Sequence, residues 1–330
     1  MQMKTKLLRA DKKKDIELAL DFLSRGQIVA VPTETVYGLA ADATNIEAVN
    51  KIFKAKERPQ NHPLIVHISA FEKLSEWVKS IPFEAKILAD KFWPGPLTLV
   101  LKKKESVNSV ITGNLGTIAI RVPKEPTLLK ILKALDKGLA APSANPHKRI
   151  SPTSAKHVLG ALYGKIAAVL DGGDCQLGLE STILDLTEKI PRILRFGPIS
   201  KGDIEAVIGK PVYSHLMQNE KVPGNMEVHY QPNTKSNLMS FEEINNTLSS
   251  DLAKNKVFGV LHFTKFNKKY PNVKAIKIAK NKRSYARLMY SSMHELDKMN
   301  VFQILIESPP NKLGWEAILD RLTKATNSNF

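Results

Sequence analysis

The chain has 330 residues, 43% hydrophobic and 25% charged, with a formal net charge of +17 and a single cysteine, Cys175. That length supports a large core and, by size, two domains. No apolar run approaches the roughly 20 residues that span a bilayer, Met1 to Lys14 is charged without a signal-peptide core, and one thiol excludes an internal disulfide. A soluble cytoplasmic protein with affinity for polyanions is the expectation. The charge is spread along the chain: residues 1–220 hold 32 Lys and Arg against 23 Asp and Glu, and 221–330 hold 17 against 9. Runs such as Lys12-Lys13-Lys14 and Lys102-Lys103-Lys104 fit equally well a solvated lysine-rich face.

In chain order, Asp15 to Ser24 reads as a helix, with Ile16, Leu18, Ala19, Phe22 and Leu23 on one stripe and Gly26 past its end. Ile28 to Val31 is a short buried strand that breaks at Pro32. A hydroxyl-rich turn, Thr33-Glu34-Thr35, follows and is closed by Val36-Tyr37-Gly38-Leu39. Ala48, Val49, Ile52 and Phe53 mark a helix ending in Lys56-Glu57-Arg58-Pro59, and Leu64 to Ile68 is the next strand. This density of polar groups between buried strands predicts a site for an anionic ligand. Phe71–Lys79 and Phe83–Phe92 read as helical, and the second stops at Trp93-Pro94-Gly95-Pro96. Leu97–Leu101 and Thr117–Val122 are strands. Pro126–Leu135 is a helix with proline at its permitted first position.

Leu139-Ala140-Ala141 leads into Pro142-Ser143-Ala144-Asn145-Pro146. Thr153–Leu162 is predicted as a helix, Ala167–Leu170 as a strand, and Asp171-Gly172-Gly173-Asp174 as a turn. Glu180–Leu186 is a strand and Ile204–Ile208 a short helix. Strands and helices mix without strict alternation, which predicts an α/β fold with a mixed sheet and flanking helices over residues 1–210. His215 to Pro232 has the composition of a linker, with 211–235 taken as the connecting segment. Beyond it, Val257–Leu261, Ser284–Met299, Phe302–Ile306 and Trp315–Thr323 alternate as strand, helix, strand and helix. That pattern predicts a smaller parallel α/β domain over 236–330.

Several familiar sites are absent from the sequence. Gly160 to Lys165 is one residue short of a phosphate-binding loop and is followed by Ile166 in place of a hydroxyl. No paired-cysteine or HExxH zinc pattern occurs. What recurs is a device of hydroxyl or basic groups at strand ends, bracketed by Gly or Pro: Lys56 and Arg58, Ser143 and Asn145, Ser151, Ser181 and Arg195. Proline and glycine fix the backbone there and pre-position short polar side chains. Arg and Lys beside hydroxyls suit a triphosphate, whose charge needs aimed donors. Each motif alone fits turn chemistry as well.

The motifs Pro32-Thr33-Glu34-Thr35-Val36-Tyr37-Gly38-Leu39, Lys56-x-Arg58-Pro59, Pro63-Leu64-Ile65-Val66-His67, Trp93-Pro94-Gly95-Pro96-Leu97-Thr98, Ala141-Pro142-Ser143-Ala144-Asn145 and Glu180-Ser181-Thr182 together resemble the threonylcarbamoyl-AMP synthases, the YrdC-like family. The likeness covers residues 10–208. Val222-Pro223-Gly224, His229-Tyr230-Gln231-Pro232 and the tail from Ala286 to Pro310 resemble the longer, two-domain members. The resemblance implies a YrdC-like N-terminal fold and condensation of L-threonine, bicarbonate and ATP into threonylcarbamoyl-AMP and pyrophosphate. That adenylate serves modification of adenosine in tRNA, through downstream threonylcarbamoyl-transfer proteins.

By resemblance, Thr35, His67, Arg121, Ala141 and Ser181 line a threonine pocket. The resemblance assigns Lys56, Arg58, His62, Thr117, Ser143, Asn145, Ser151, Arg195 and Tyr230 to ATP, with Lys56 and Arg58 as the catalytic pair. Arg121 suits a carboxylate because its fork binds both oxygens; a structural ion pair at a strand end is the alternative. His67, after four apolar residues, fits a core histidine as well as a ligand. Thr35 and Ser181 also fit turn capping. Lys56 and Arg58 could instead be a solvated pair at a helix end. His62 departs from the small polar residues common at its position. Tyr230, in the linker, suggests a lid that keeps water from the adenylate. Mg2+ is expected to arrive on the phosphates without dedicated protein ligands, and Cys175 is expected to pack. The competing reading is a non-catalytic module of this fold that binds tRNA or double-stranded RNA, which the charge suits. A third is a carbamoyl-phosphate-using maturation factor, whose zinc-finger and acylphosphatase segments are missing here.

Overall fold

The computed structural model describes residues 4–214 and 229–326. These fall into two compact units. The first takes the described residues up to 214 except 148–151 and 177–179, which cluster with 229–326 in the second. Val222-Pro223-Gly224 and the other expected linker residues from 215 to 228 lie outside the described residues.

The first unit opens with β1 (Lys6–Arg9), α1 (Lys13–Ser24), β2 (Val29–Val31), β3 (Gly38–Asp42), α2 (Ile46–Lys56) and β4 (Ile65–His67). After a 3-10 helix at Phe71–Glu76 come α3 (Phe83–Phe92), β5 (Leu97–Lys102), α4 (Ser109–Thr112), β6 (Thr117–Arg121) and α5 (Pro126–Leu135). It ends with β7 (Leu139–Ala140), α6 (Ala155–Leu162), β8 (Ala168–Asp171), β9 (Thr182–Asp185), β10 (Arg192–Arg195) and α7 (Lys201–Ile208). The ten strands form one sheet in the order β1-β8-β2-β3-β7-β4-β6-β5-β9-β10. The sheet is mixed, as the irregular alternation of elements predicts: β4 runs parallel to β6 and antiparallel to β7, and β5 antiparallel to β6 and parallel to β9.

Side chains alternate across a sheet, so its two faces can be followed strand by strand. One face carries Leu39, Val66, Leu99, Ile120 and Leu184, and residues of α2, α3, α6 and α7 join it in a single large core. On the other face, Val29, Val31, Ala40, Leu139 and Leu170 are covered by Ala19 and Leu23 of α1 and by Leu128, Ile131 and Leu132 of α5. That cover stops short of the far strands. From β4 to β10 this face holds a separate patch of five residues, Ile65, Val100, Ala119, Ile183 and Leu194, to which no described helix contributes. His67, Thr117 and Arg121 lie two residues from Ile65 or Ala119 along β4 and β6 and so share this face, which makes the patch the floor beneath them.

The second unit contains β11 (Ser236–Met239), α8 (Phe241–Ser249), β12 (Phe258–His262), β13 (Val273–Lys277), α9 (Lys282–Asp297), β14 (Gln303–Glu307) and α10 (Glu316–Thr326). Its four strands are all parallel, in the order β11-β14-β12-β13. Ser240 and Glu243 form a reciprocal capping box at the start of α8, which satisfies two donors that a helix start leaves free. Ile244 and Leu248 of α8 then pack on Phe258, Val260 and Leu305. The parallel α/β reading of this region matches what is observed. Among the described residues, no helix is long and apolar enough to cross a membrane.

Candidate active site

The turn after Pro32 is built around one hydroxyl. Thr33 Oγ1 accepts the backbone N–H of Thr35 at 3.0 Å and of Val36 at 3.1 Å, and it lies 2.8 Å from Thr35 Oγ1. A threonine side chain that replaces backbone partners in this way fixes a tight turn. Tyr37 anchors the exit, because its buried hydroxyl donates to Gly173 O at 2.8 Å and accepts from Gly172 N at 3.1 Å. The turn is thereby aimed at Arg121, at the end of β6. Arg121 Nη1 donates to Thr35 Oγ1 at 3.1 Å and Nε to Gly95 O at 3.0 Å.

Arg121 Nη2 stands 2.6 Å from Glu34 Oε1, and both side chains are only 4% exposed. Neither Glu34 oxygen receives a well-aligned hydrogen bond, so this is a close ion pair with poor donor geometry. Arg121 thus has a buried carboxylate partner, which the reading of the sequence had not singled out.

Parallel pairing puts His67 of β4 in register with Arg121 of β6. Among the described residues neither ring nitrogen of His67 has a well-formed hydrogen bond. Burial first, and the Arg121 charge second, push its pKa down to about 3, against a smaller upward pull from the Leu139 backbone. It is neutral near pH 7. Ala141, just past β7, donates its N–H to Ile65 O at 3.0 Å and so sits beside β4. Just before β9, Ser181 Oγ lies 2.7 Å from Thr98 Oγ1 and accepts from Arg195 Nη2 at 3.0 Å. Arg195 Nε also donates to Ser181 O at 3.0 Å. Gly197 makes this approach possible: a Cβ there would lie 2.3 Å from Thr182 N.

Lys56 closes α2 and is 2% exposed. Its Nζ donates to Asn145 O at 2.5 Å and to Ser143 O. Burial and the neighbouring Arg58 charge together lower its pKa well below that of an ordinary lysine. A solvated helix-end pair is excluded by this burial. An ammonium has three donors, so one is left after the two carbonyls. Ser143 thus meets Lys56 through its carbonyl, and it also bridges to Gly38. Arg58 is 8% exposed and donates from Nη2 to Pro63 O at 3.2 Å. The loop it stiffens is pressed against Gly113, where φ is +58° and a Cβ would lie 2.5 Å from Asn61 O. His62 is half-buried, with its ring edge-on to His147 at 5.3 Å.

These contacts define two poles over the same floor. Thr35, His67, Arg121, Ser181 and Arg195 stand at the end where β4 and β6 finish. Lys56, Arg58, Ser143 and Asn145 stand at the end where β4 begins. Thr117, half-buried at the start of β6, shares the second end. It lies four residues from Arg121 on the same face, a span of about 13 Å at the usual strand rise. Arg195, grouped by resemblance with the phosphate ligands, is bonded to Ser181 at the first pole. Ser151 and Tyr230 belong to the second unit. There the Ser151 carbonyl lies 3.2 Å from His294 Nε2. Tyr230, at φ +64°, stacks on Tyr290 with ring centroids 5.7 Å apart, and the Arg321 guanidinium lies over the Tyr230 ring at 5.2 Å from its centre.

The reading of the sequence missed Glu34 and Thr98, although both lie inside motifs it quoted. Their flanking hydroxyls and prolines were the available signal. Cys175 is buried, and burial pushes its thiol up to about 12, which fits packing and not nucleophilic chemistry.

Residues 21–197 match the Sua5/YciO/YrdC family, described as "Telomere recombination". Residues 199–327 match the family described as "Threonylcarbamoyl-AMP synthase, C-terminal domain". The chain is 40% identical over 318 residues to a Pyrococcus abyssi protein named threonylcarbamoyl-AMP synthase, with 94% of each chain covered. It is 38% identical over 320 residues to the Bacillus subtilis protein of that name, covering 94% of this chain and 92% of the relative. Among solved structures, that of P. abyssi Sua5 complexed with L-threonine matches with a TM-score of 0.89 at 38% identity, covering 98% of this chain and 97% of the other.

Proposed function

The chain belongs to the Sua5/YciO/YrdC family in its longer form, and from that premise we propose that it is a threonylcarbamoyl-AMP synthase, an enzyme of the nucleotidyltransferase type. The amine of L-threonine and bicarbonate form a carbamate with loss of water. A carbamate oxygen then attacks the α-phosphorus of ATP, the bond to the β-phosphate oxygen breaks, and pyrophosphate leaves. The threonylcarbamoyl group of the product is destined for adenosine in tRNA by way of downstream transfer proteins.

The observation that carries this reading is the pair of cationic poles across one helix-free floor. Arg121 already holds a carboxylate, that of Glu34 at 2.6 Å, and threonine's carboxylate is assigned the same fork. Thr35, neutral His67, Ala141 and Ser181 complete that pole and leave the amine free to capture carbon dioxide or bicarbonate. At the other pole, Lys56 and Arg58 meet the phosphates. Fixed cations aimed at the departing pyrophosphate act without reorganisation, which is where a dry site gains most. Thr117, Ser143 and Asn145 are assigned to ATP with them, as are His62, Ser151 and Tyr230 and, from the threonine pole, Arg195. The described residues include no group of three His, Cys, Asp or Glu placed for a metal. Mg2+ would arrive on the phosphates of ATP and neutralise charge there.

The test is ATP–pyrophosphate exchange by the purified protein, with threonine and bicarbonate omitted in turn. Exchange that needs both substrates supports the assignment. Exchange that ignores threonine, or none from a well-folded protein, refutes it.

A further inference from the structure

The second unit concentrates positive charge in a way its core does not require. Residues 254–283 contain ten Lys or Arg and no Asp or Glu. Among the described residues only one of the ten, Lys254, meets a carboxylate, that of Asp251 at 2.5 Å. Lys265, Lys268, Lys269, Lys274 and Lys277 are all exposed. Lys265, Lys268 and Lys269 line an open groove of about 560 Å³, whose walls also include Phe266, Tyr270, Val273 and Ala275. One wall is β13, the outermost strand of the sheet.

Lysines on an edge strand commonly serve to block pairing with another chain, and Lys274 and Lys277 on β13 can do so. That role does not call for three further lysines on the preceding loop, nor for rings beside them. Phe266 and Tyr270 are half-buried and packed on each other at 5.6 Å and 76°, with Lys268 Nζ 4.9 Å from the Tyr270 ring centre. Their inner edges belong to the core around Ile244 and Phe258, so they are rigid. Flat rings within a basic groove form the arrangement that stacks bases while lysines track phosphates. The volume falls within the range of roughly 300–1,000 Å³ that holds a small-molecule-sized group such as one nucleotide.

We propose that the groove bounded by the 265–271 loop and β13 binds single-stranded RNA, with a base stacked on Tyr270 and phosphates on Lys265, Lys268 and Lys269. An unpaired loop suits it better than a duplex, whose bases are not free to stack. None of the groove's residues is among those assigned to adenylate formation, so the two readings succeed or fail independently.

The experiment measures binding of a fluorescent single-stranded RNA oligonucleotide to the full chain across a series of salt concentrations. A duplex RNA and a poly-glutamate peptide serve as competitors. The variant Lys265→Gln/Lys268→Gln/Lys269→Gln is expected to bind at least tenfold more weakly. Its salt slope should be smaller by about 2, from roughly 0.7 per lost phosphate contact on a single strand. Tyr270→Leu should weaken binding by about tenfold while Tyr270→Phe does not. Threonine-dependent pyrophosphate exchange and the thermal transition of the triple variant should stay at their original values. The proposal is overturned if the triple variant binds the oligonucleotide as the parent does. It is equally overturned if poly-glutamate or the duplex competes better than single-stranded RNA, since the surface would then serve an acidic peptide or a helix. Should pyrophosphate exchange be absent from the parent while the RNA results hold, the function proposed above fails and the groove assignment stands.

Discussion

Two groups of cations, one in each unit, hold their charge in opposite ways. In the first, Lys56, Arg58, Arg121 and Arg195 are between 2% and 8% exposed, and each is tied to a carbonyl, a hydroxyl or a carboxylate. In the second, Lys265, Lys268, Lys269 and Lys274 stand in solvent without carboxylate partners among the described residues. Burial costs an ion much of its hydration, so the first arrangement is worth keeping only where position matters more than charge. A buried, tethered cation suits one small anion in one pose. Exposed lysines on flexible stems suit a long anion whose register can vary.

Substitutions test that contrast, and the largest effect is expected at Arg121. Arg121→Ala leaves the Glu34 carboxylate buried and unpaired, which should cost about 3–5 kcal/mol of stability by chemical denaturation. Adenylate formation should fall by roughly 100-fold or more. A loss no bigger than that from a solvent-exposed lysine would erase the distinction. Arg58→Ala should come next: it should reduce pyrophosphate exchange far more than it weakens threonine binding by calorimetry. Equal losses in both would mean that the two poles are not separate sites.

His67 offers a test by pH. Because folding lowers its pKa from 6.5 to about 3, the unfolded chain takes up a proton first as pH falls. The stability contributed by the neutral ring is therefore complete above about pH 6.5 and is lost toward about pH 3, by up to about 1.4 kcal/mol per pH unit. His67→Gln should flatten the stability curve over that window, as read from urea midpoints. An unchanged slope would show that the ring is not held neutral. The smallest effect is expected for Thr98→Val, which removes one hydrogen bond to Ser181 but leaves that from Arg195. It should cost about 1 kcal/mol, with only a few-fold change in the apparent threonine affinity.

Much of the fold was legible where local signals agreed. Pro126 opens α5 and the apolar stripe of Phe83–Phe92 delimits α3, so both helices fall where the sequence sets them. Strands with weak patterns escaped. β1 buries only Leu8 of its four residues, β13 interleaves lysines with half-buried positions, and β3 is the Gly- and Ala-rich Gly38–Asp42, whose composition has little strand preference. Phe71–Glu76 reads as helical and is a 3-10 helix.

The site was legible chiefly through resemblance, because its defining contacts join distant parts of the chain. Glu34 meets Arg121 only once β3, β7, β4 and β6 lie side by side. Lys56 is held by backbone carbonyls of Ser143 and Asn145, groups that every residue carries and no side-chain pattern announces. That two short segments, 148–151 and 177–179, group with the second unit was hidden for the same reason.

The central claim is that the cationic poles over the apolar floor of the first unit join a threonine carbamate to the innermost phosphate of ATP. Mass spectrometry of the nucleotide product made with 13C-bicarbonate, threonine and ATP addresses it most directly. The account predicts a labelled threonylcarbamoyl adenylate and one pyrophosphate for each ATP consumed. Label-free AMP, or ADP with inorganic phosphate in place of pyrophosphate, would contradict it.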